Sequence, residues 1–394
     1  MTAVAAAPPR ALMPVLCALA IAGYVGSFLY LPALPQVAAE FGASEAGAQA
    51  TLTIFFVGTC LGFAVYGPIS DRIGRRRTLA ATGALFVLAC LMCAGAASLS
   101  QLMVARFLLG FGAVAGVTTA RAAIRSLWPA EKAPQMMAFL SASMAIAPAA
   151  SPVVGALALE WVAWRTTFLG AGIFAAMVLL VAIVVLPKMP LRPKGEGSLS
   201  RDLWALAASP VYRATVLIGA SSTGLFLVMM AGSPFIFVGL WGLSPLHYSL
   251  IQGAILLAYA SFALVGANVV RRFGTLKTMA FGLLPALGAA VILALCGVLE
   301  AGVILIAPAL FMIMASMGMI VPGSQILMLE PFPQIASTAA SLGLLATTLG
   351  GALAVTVYGV LASGSETGFA VAIAGLTALT AFGYALLPER RAAR

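Results

Sequence analysis

Gly67-Pro68-Ile69-Ser70-Asp71-Arg72-Ile73-Gly74-Arg75-Arg76-Arg77-Thr78-Leu79 is an island of charge between two long apolar runs. Four arginines and an aspartate in so short a stretch cannot rest in hydrocarbon, so they fix a cytoplasmic turn between two membrane-spanning helices. Every other span can be counted from that turn.

Composition agrees with a bilayer-embedded chain. Apolar residues make up 62% of 394, charged residues only 8%, and the mean hydropathy is +1.10. A soluble domain needs far more charge, and a β-barrel would show short alternating segments where this chain has continuous apolar runs near the length of a spanning helix. The net charge of +10 does not point to nucleic acid, because the basic residues lie between the apolar runs and form no continuous polar face. The run from Ala11 to Leu31 follows Arg10 but is too long for a signal peptide, so it reads as the first span. Cys17, Cys60, Cys90, Cys93 and Cys296 all fall inside apolar runs, which makes them packing residues; no metal site is expected.

The periodicity predicts spans at 12–31, 48–68, 78–98, 101–121, 136–158 and 165–186, then 212–236, 247–269, 276–297, 302–328, 336–361 and 366–387. The expected domains are therefore an amino-terminal six-helix bundle over 1–186, a cytoplasmic linker over 187–211 with room for a short surface helix, and a carboxy-terminal six-helix bundle over 212–394. All the lysines and arginines except Arg106 and Arg165 then fall on one side, which places both termini in the cytoplasm. Arg72-Ile73-Gly74 recurs 200 residues later as Arg272-Phe273-Gly274, each in the turn between the second and third span of its half. Both halves start from the cytoplasm, so the repeats are parallel, and such a pair of bundles is expected to enclose a cavity that opens to either side by rocking.

At this point Gly67–Leu79 resembles the signature loop of the major facilitator superfamily. Tyr30-Leu31-Pro32-Ala33-Leu34-Pro35, Ser233-Pro234-Phe235 and Glu330-Pro331-Phe332 resemble, more narrowly, the Bcr/CflA group of bicyclomycin and chloramphenicol exporters. The fold class so identified is an all-α membrane protein of 12 transmembrane helices in two parallel six-helix pseudo-repeats. The resemblance implies a gating role for Gly67, Asp71, Arg72, Gly74, Arg75 and Arg76, with the eleventh span as the neighbour of the second and a contact between Asp71 and the arginines that holds the outward-open state until the halves rock. Topology alone accounts for the arginines but not for the glycines or the aspartate. The resemblance further implies a monomer in a bacterial-type inner membrane that takes a small amphiphilic substrate and needs no cofactor beyond a proton gradient.

Arg106 is the charge set well inside a span, which marks it as a substrate or coupling residue unless it snorkels to the surface. It resembles the arginine of the superfamily's fourth-span motif, implicated in proton coupling. Pro148, Pro152 and Gly155 share one face of the fifth span. They resemble the motif that marks exporters, although helix bending accounts for the prolines equally well. If the superfamily layout holds, Tyr24, Phe28 and Tyr30, Arg106, Phe226, Met229 and Met230, and Gln325 line the cavity, a wall suited to amphiphiles rather than sugars.

One residue departs from the group. Its exporters carry an aspartate in the first span where this chain has Phe28, and none of the eleven acids is expected at a bilayer midplane. Four readings stay open: a substrate that supplies the negative charge, coupling through Asp71 or Glu330, an uncoupled facilitator, or an inactivating change. The expected function is export of small amphiphilic compounds in exchange for protons. The alternative is a metabolite or siderophore carrier without proton coupling. No P-loop, metal cluster or nucleophile-base set indicates an enzyme.

Overall fold

The computed structural model describes residues 12–129, 132–187, 199–299, 302–332, 335–362 and 364–388; within helices, some side chains lie outside that description, Gly67, Pro68, Asp71, Arg125, Arg201 and Asp202 among them. So do the linker residues Lys188, Arg192, Lys194 and Glu196. Among the described residues every regular element is helical. The elements are α1 (Leu12–Phe28), α2 (Leu34–Glu40), α3 (Glu45–Ile73), α4 (Arg75–Ala94), α5 (Leu99–Leu127), α6 (Ala133–Leu159) and α7 (Trp164–Val185). They continue as α8 (Leu199–Ala208), α9 (Pro210–Pro234), α10 (Pro245–Phe273), α11 (Thr275–Val298), α12 (Val303–Leu329), α13 (Ala336–Leu361) and α14 (Glu366–Ala385).

Eleven of the described helical stretches are long and apolar enough to cross a membrane, with α2 continuing α1 as one of them. The twelfth is α6, 27 residues long, whose apolar described segment is Ile146–Leu159. The protein is thus an all-α membrane protein with a twelve-span architecture, and the linker carries the short helix α8. That helix is amphipathic in its burial: Leu206 is enclosed while Trp204 is 76% exposed.

The charged stretch that opened the sequence is not an extended loop. α3 runs through Gly67–Ile73 and α4 starts at Arg75, so the turn is Gly74 alone. Its φ of +91° and ψ of 143° belong to a region essentially reserved for glycine. Gly274 repeats the geometry between α10 and α11 with φ +81° and ψ 165°. Around both, the same bonds recur. The amide of Gly74 donates to the Ser70 carbonyl and that of Gly274 to Val270, at 3.0 and 2.8 Å. The hydroxyls of Thr78 and Thr278 donate back to the two glycine carbonyls, at 3.0 and 2.8 Å. The repeat read from the sequence is therefore a repeat of backbone geometry.

The contacts divide the chain into two compact units, Met1–Ala33 with Ile54–Pro193, and Leu34–Thr53 with Lys194–Arg394. The first holds α1, α4, α5, α6, α7 and most of α3, around a core that includes Leu12, Leu16, Val114, Ile124 and Leu140. Helices α3 and α5 approach closely because each presents glycine to the other. A Cβ on Gly110 would lie 1.9 Å from the Phe55 carbonyl oxygen, and one on Gly58 2.1 Å from that of Phe107. The second unit takes in the first part of α3, Glu45–Thr53, although that stretch belongs to the amino-terminal half by chain order. In it, Leu206, Tyr212, Met328 and Ala339 enclose a small core, with Phe332 edge-on to Tyr212.

Candidate translocation site

The site begins with a broken helix. Pro32 has no N–H to offer the carbonyl of Phe28 and disfavours helical geometry at Leu31, and Pro35 follows closely. α1 therefore stops at Phe28, a 3-10 turn covers Leu31–Ala33, and the chain resumes as α2. Ending a helix inside a bundle strands its last carbonyls, which in hydrocarbon must find donors.

Arg106 of α5 supplies them. Its Nη1 donates to the Gly26 carbonyl at 2.9 Å and its Nη2 to that of Ser27 at 3.4 Å. The guanidinium is completely buried. Its carbon lies 4.4 Å from the ring centroid of Tyr30, 4.7 Å from Phe55 and 5.9 Å from Phe168. A cation at a helix carboxy terminus also meets the favourable end of the macrodipole. Arg106 is not the snorkelling residue that was one alternative, and its fork-shaped set of donors suits two adjacent carbonyls.

On the other side of the break stands α6. Pro148, Pro152 and Gly155 are all buried, and the helix runs through both prolines without interruption. A Cβ on Gly155 would lie 1.8 Å from the Leu29 carbonyl oxygen, so only glycine lets α6 reach the break. The expected shared face is present, and its use is close contact with the end of α1.

The remaining candidates separate. Phe28 is buried and stacks on the half-buried Tyr24 with centroids 6.1 Å apart; Tyr30 is buried in the Arg106 cluster. Gln325 is exposed on α12 and Phe226 is half-buried. Met229 and Met230 are fully enclosed, and the Met230 sulfur accepts from Gln252 at 3.6 Å. These two methionines fill the interior of the bundle in this structure and do not form an open wall.

Of the gating residues, Arg72 and Arg76 are exposed and Arg75 is half-buried in the first turn of α4. Cations at a helix amino terminus oppose the macrodipole, so Arg75, Arg76 and Arg77 are not there to stabilise α4. The side chains of Gly67 and Asp71 lie outside the described residues.

Sequence reasoning missed two acids. Glu366, nearly buried, accepts from Trp241 Nε1 at 2.9 Å and from the Gly302 amide at 3.1 Å, joining the ends of three helical segments. Glu45 is half-buried in the first turn of α3 beside Gly364. The available signal was their position at helix starts flanked by glycine and serine turns. All five cysteines are buried and free, and among the described residues no group of metal-binding side chains occurs.

Residues 16–355 match the Major Facilitator Superfamily. The chain belongs to this family. It is a transport protein rather than an enzyme, and it is embedded in a membrane. The chain is 29% identical over 343 residues to an uncharacterized MFS-type transporter, YdgK, of Bacillus subtilis (strain 168), covering 84% of each. It is 28% identical over 274 residues to a chloramphenicol resistance protein of Pseudomonas aeruginosa, covering 69% of this chain and 65% of that one. In three dimensions it resembles a D-xylose–proton symporter with a TM-score of 0.80, covering 96% of this chain and 98% of that one. At 16% identity that likeness speaks to the fold alone.

Proposed function

We propose that this major facilitator exports small amphiphilic compounds by alternating access, in exchange for protons. The observation that carries the reading is the clamp on the α1 break. Arg106 holds the Gly26 and Ser27 carbonyls from one side, and Gly155 admits α6 to Leu29 from the other. A helix interrupted at mid-bundle and pinned by residues of two neighbours is a built hinge, since the clamp fixes one geometry of the break and its release permits another. The direction of transport is supported by the similarity to the chloramphenicol resistance protein and by the Pro148-Pro152-Gly155 face. The lysine and arginine distribution supports termini in the cytoplasm and a bacterial inner membrane.

Phe28 favours a second reading. Its ring occupies an enclosed position against Tyr24 and brings no charge to α1. An uncoupled carrier is the form of transport that needs none.

The test is flux in proteoliposomes carrying an internal pH dye, with chloramphenicol as the probe and an imposed pH gradient. Export by exchange predicts accumulation of the probe on the acidic side with proton release that depends on the probe. Flux that ignores the gradient establishes the uncoupled reading. Absence of chloramphenicol flux from protein that remains folded overturns the proposed substrate class.

A further inference from the structure

We propose that Gln252 of α10 and Ser233 of α9 form a hydrogen-bonding subsite for the transported compound, filled by the Met230 thioether until a carbonyl or hydroxyl oxygen of that compound replaces it. This inference deepens the export reading above, on which it rests, by naming a polar group that the substrate carries. The subsite starts at Ser233-Pro234-Phe235, a motif that the clamp on α1 leaves without a role. Pro234 has no N–H for the Met230 carbonyl, and beyond it the chain turns π-helical over Phe235–Leu240. Turns of this kind are rare and concentrate at functional sites.

Ser233 is fully buried, and its hydroxyl donates to Gln252 Oε1 at 3.5 Å. With that hydrogen committed, the Tyr248 phenol, 3.2 Å away, donates to Ser233 Oγ. At the other end of the amide, Gln252 Nε2 donates to the Met230 sulfur at 3.6 Å. Gln252 is 1% exposed, and Ser249, one turn before it on α10, keeps a buried hydroxyl with no partner. A glutamine amide has two N–H groups to give, and a thioether is a weak acceptor. The buried amide of Gln252 is therefore poorly matched, where native interiors pair such groups well or reserve them for a ligand. What would complete it is a strong oxygen acceptor in the place of the sulfur.

The surroundings of Met230 suit displacement. Its side chain is unbranched and can swing aside at little cost. Ser222, Phe226, Met229, Met230 and Ser233 share one face of α9, and the half-buried Phe226 stands one turn before Met230. Further along that face the Ser222 hydroxyl also donates to a methionine sulfur, that of Met317 on α12, at 3.6 Å. Thioethers thus cover the polar groups of an apolar, adaptable surface, a composition that takes amphiphiles of differing shape and orients them by a few hydrogen bonds. Chloramphenicol, with its amide and hydroxyl groups, carries the oxygen acceptors that Gln252 lacks.

Methyl NMR of labelled methionines, with the protein in lipid nanodiscs, reads the subsite without transport. The Met230 resonance, assigned by its loss in Met230→Ala, is followed on adding acetanilide, a bare aromatic amide. Acetanilide should shift it in the wild type and leave it in place in Gln252→Leu. No shift in the wild type, or a shift that survives Gln252→Leu, overturns the proposal whatever the transported compound is. In proteoliposomes, Gln252→Leu should raise the KM for chloramphenicol about tenfold, the scale of one hydrogen bond to substrate, while kcat holds. Met230→Ala, which vacates the place of the thioether, should lower that KM severalfold. A glutamine with a structural role alone would move Tm and kcat and leave KM in place, and an unchanged KM in Gln252→Leu overturns the subsite. Should Gln252→Leu fail to fold, a KM that Met230→Ala leaves unchanged or raises does the same. An absence of chloramphenicol flux in the wild type, with the acetanilide response intact, faults the substrate class and not the subsite.

Discussion

At the scale of the residue, Arg106 shows how a membrane interior reassigns a charge. Its spacing within the fourth span reads as a substrate or coupling residue, and the structure gives its donors to the Gly26 and Ser27 carbonyls, left open in the last turn of α1 where the helix stops ahead of Pro32 and Pro35. Removing the guanidinium leaves those carbonyls buried and unmatched, at a cost on the order of 1–3 kcal/mol each. Arg106→Ala is accordingly expected to lower the Tm of the detergent-purified protein by several degrees. Arg106→Lys should recover little of it, because a single ammonium cannot reproduce a fork that meets two oxygens while lying against three rings. A lysine variant as stable as the wild type would show that charge alone is needed. Glycine makes the complementary case on α6. Gly155→Val drives a side chain into the Leu29 carbonyl, and the expected result is loss of transport together with lowered stability, read by flux and by Tm.

At the scale of the element, the two turns at Gly74 and Gly274 offer a direct comparison of the repeats. Both glycines adopt backbone angles that other residues hold only under strain, yet neither has an atom near the place where a Cβ would go. An alanine at either position is therefore a purely conformational change, expected to cost about 1–3 kcal/mol. Gly74→Ala and Gly274→Ala should shift the Tm by similar amounts, and the double variant by close to their sum, since the turns share no partner. A shift confined to one of them would mean that the repeats have diverged in energy while keeping one geometry.

The same elements show what was legible beforehand. Spans, their breaks and the repeat follow from hydropathy and glycine placement, which are local properties. That the charged island is helical through Ile73 was not legible from hydropathy, which ends the span where charge begins, although arginine is itself a good helix former. The grouping of Leu34–Thr53 with the carboxy-terminal helices is tertiary, with Gly359 close against Gln49 and Gly364 against Glu45, and no periodicity records it. Nor does hydropathy reveal that Met229 and Met230 pack inward, since every face of an apolar span looks alike to it.

At the scale of the whole molecule, orientation is the property most directly open to test. The excess of lysine and arginine on one side calls for cytoplasmic termini, and each span then alternates. Counting from Arg72–Arg77 on the inside, the turn after α6 faces outward and α8 faces the cytoplasm. Two tryptophans report on the two sides: Trp161, in the turn after α6, is 87% exposed, and Trp204, on α8, is 76% exposed. The native cysteines are all buried, so background reaction with a bulky thiol reagent is low. With a membrane-impermeant maleimide on intact cells, Trp161→Cys should label and Trp204→Cys should not; permeabilising the cells should make Trp204→Cys react. The reverse pattern would place the basic loops outside, against the charge rule.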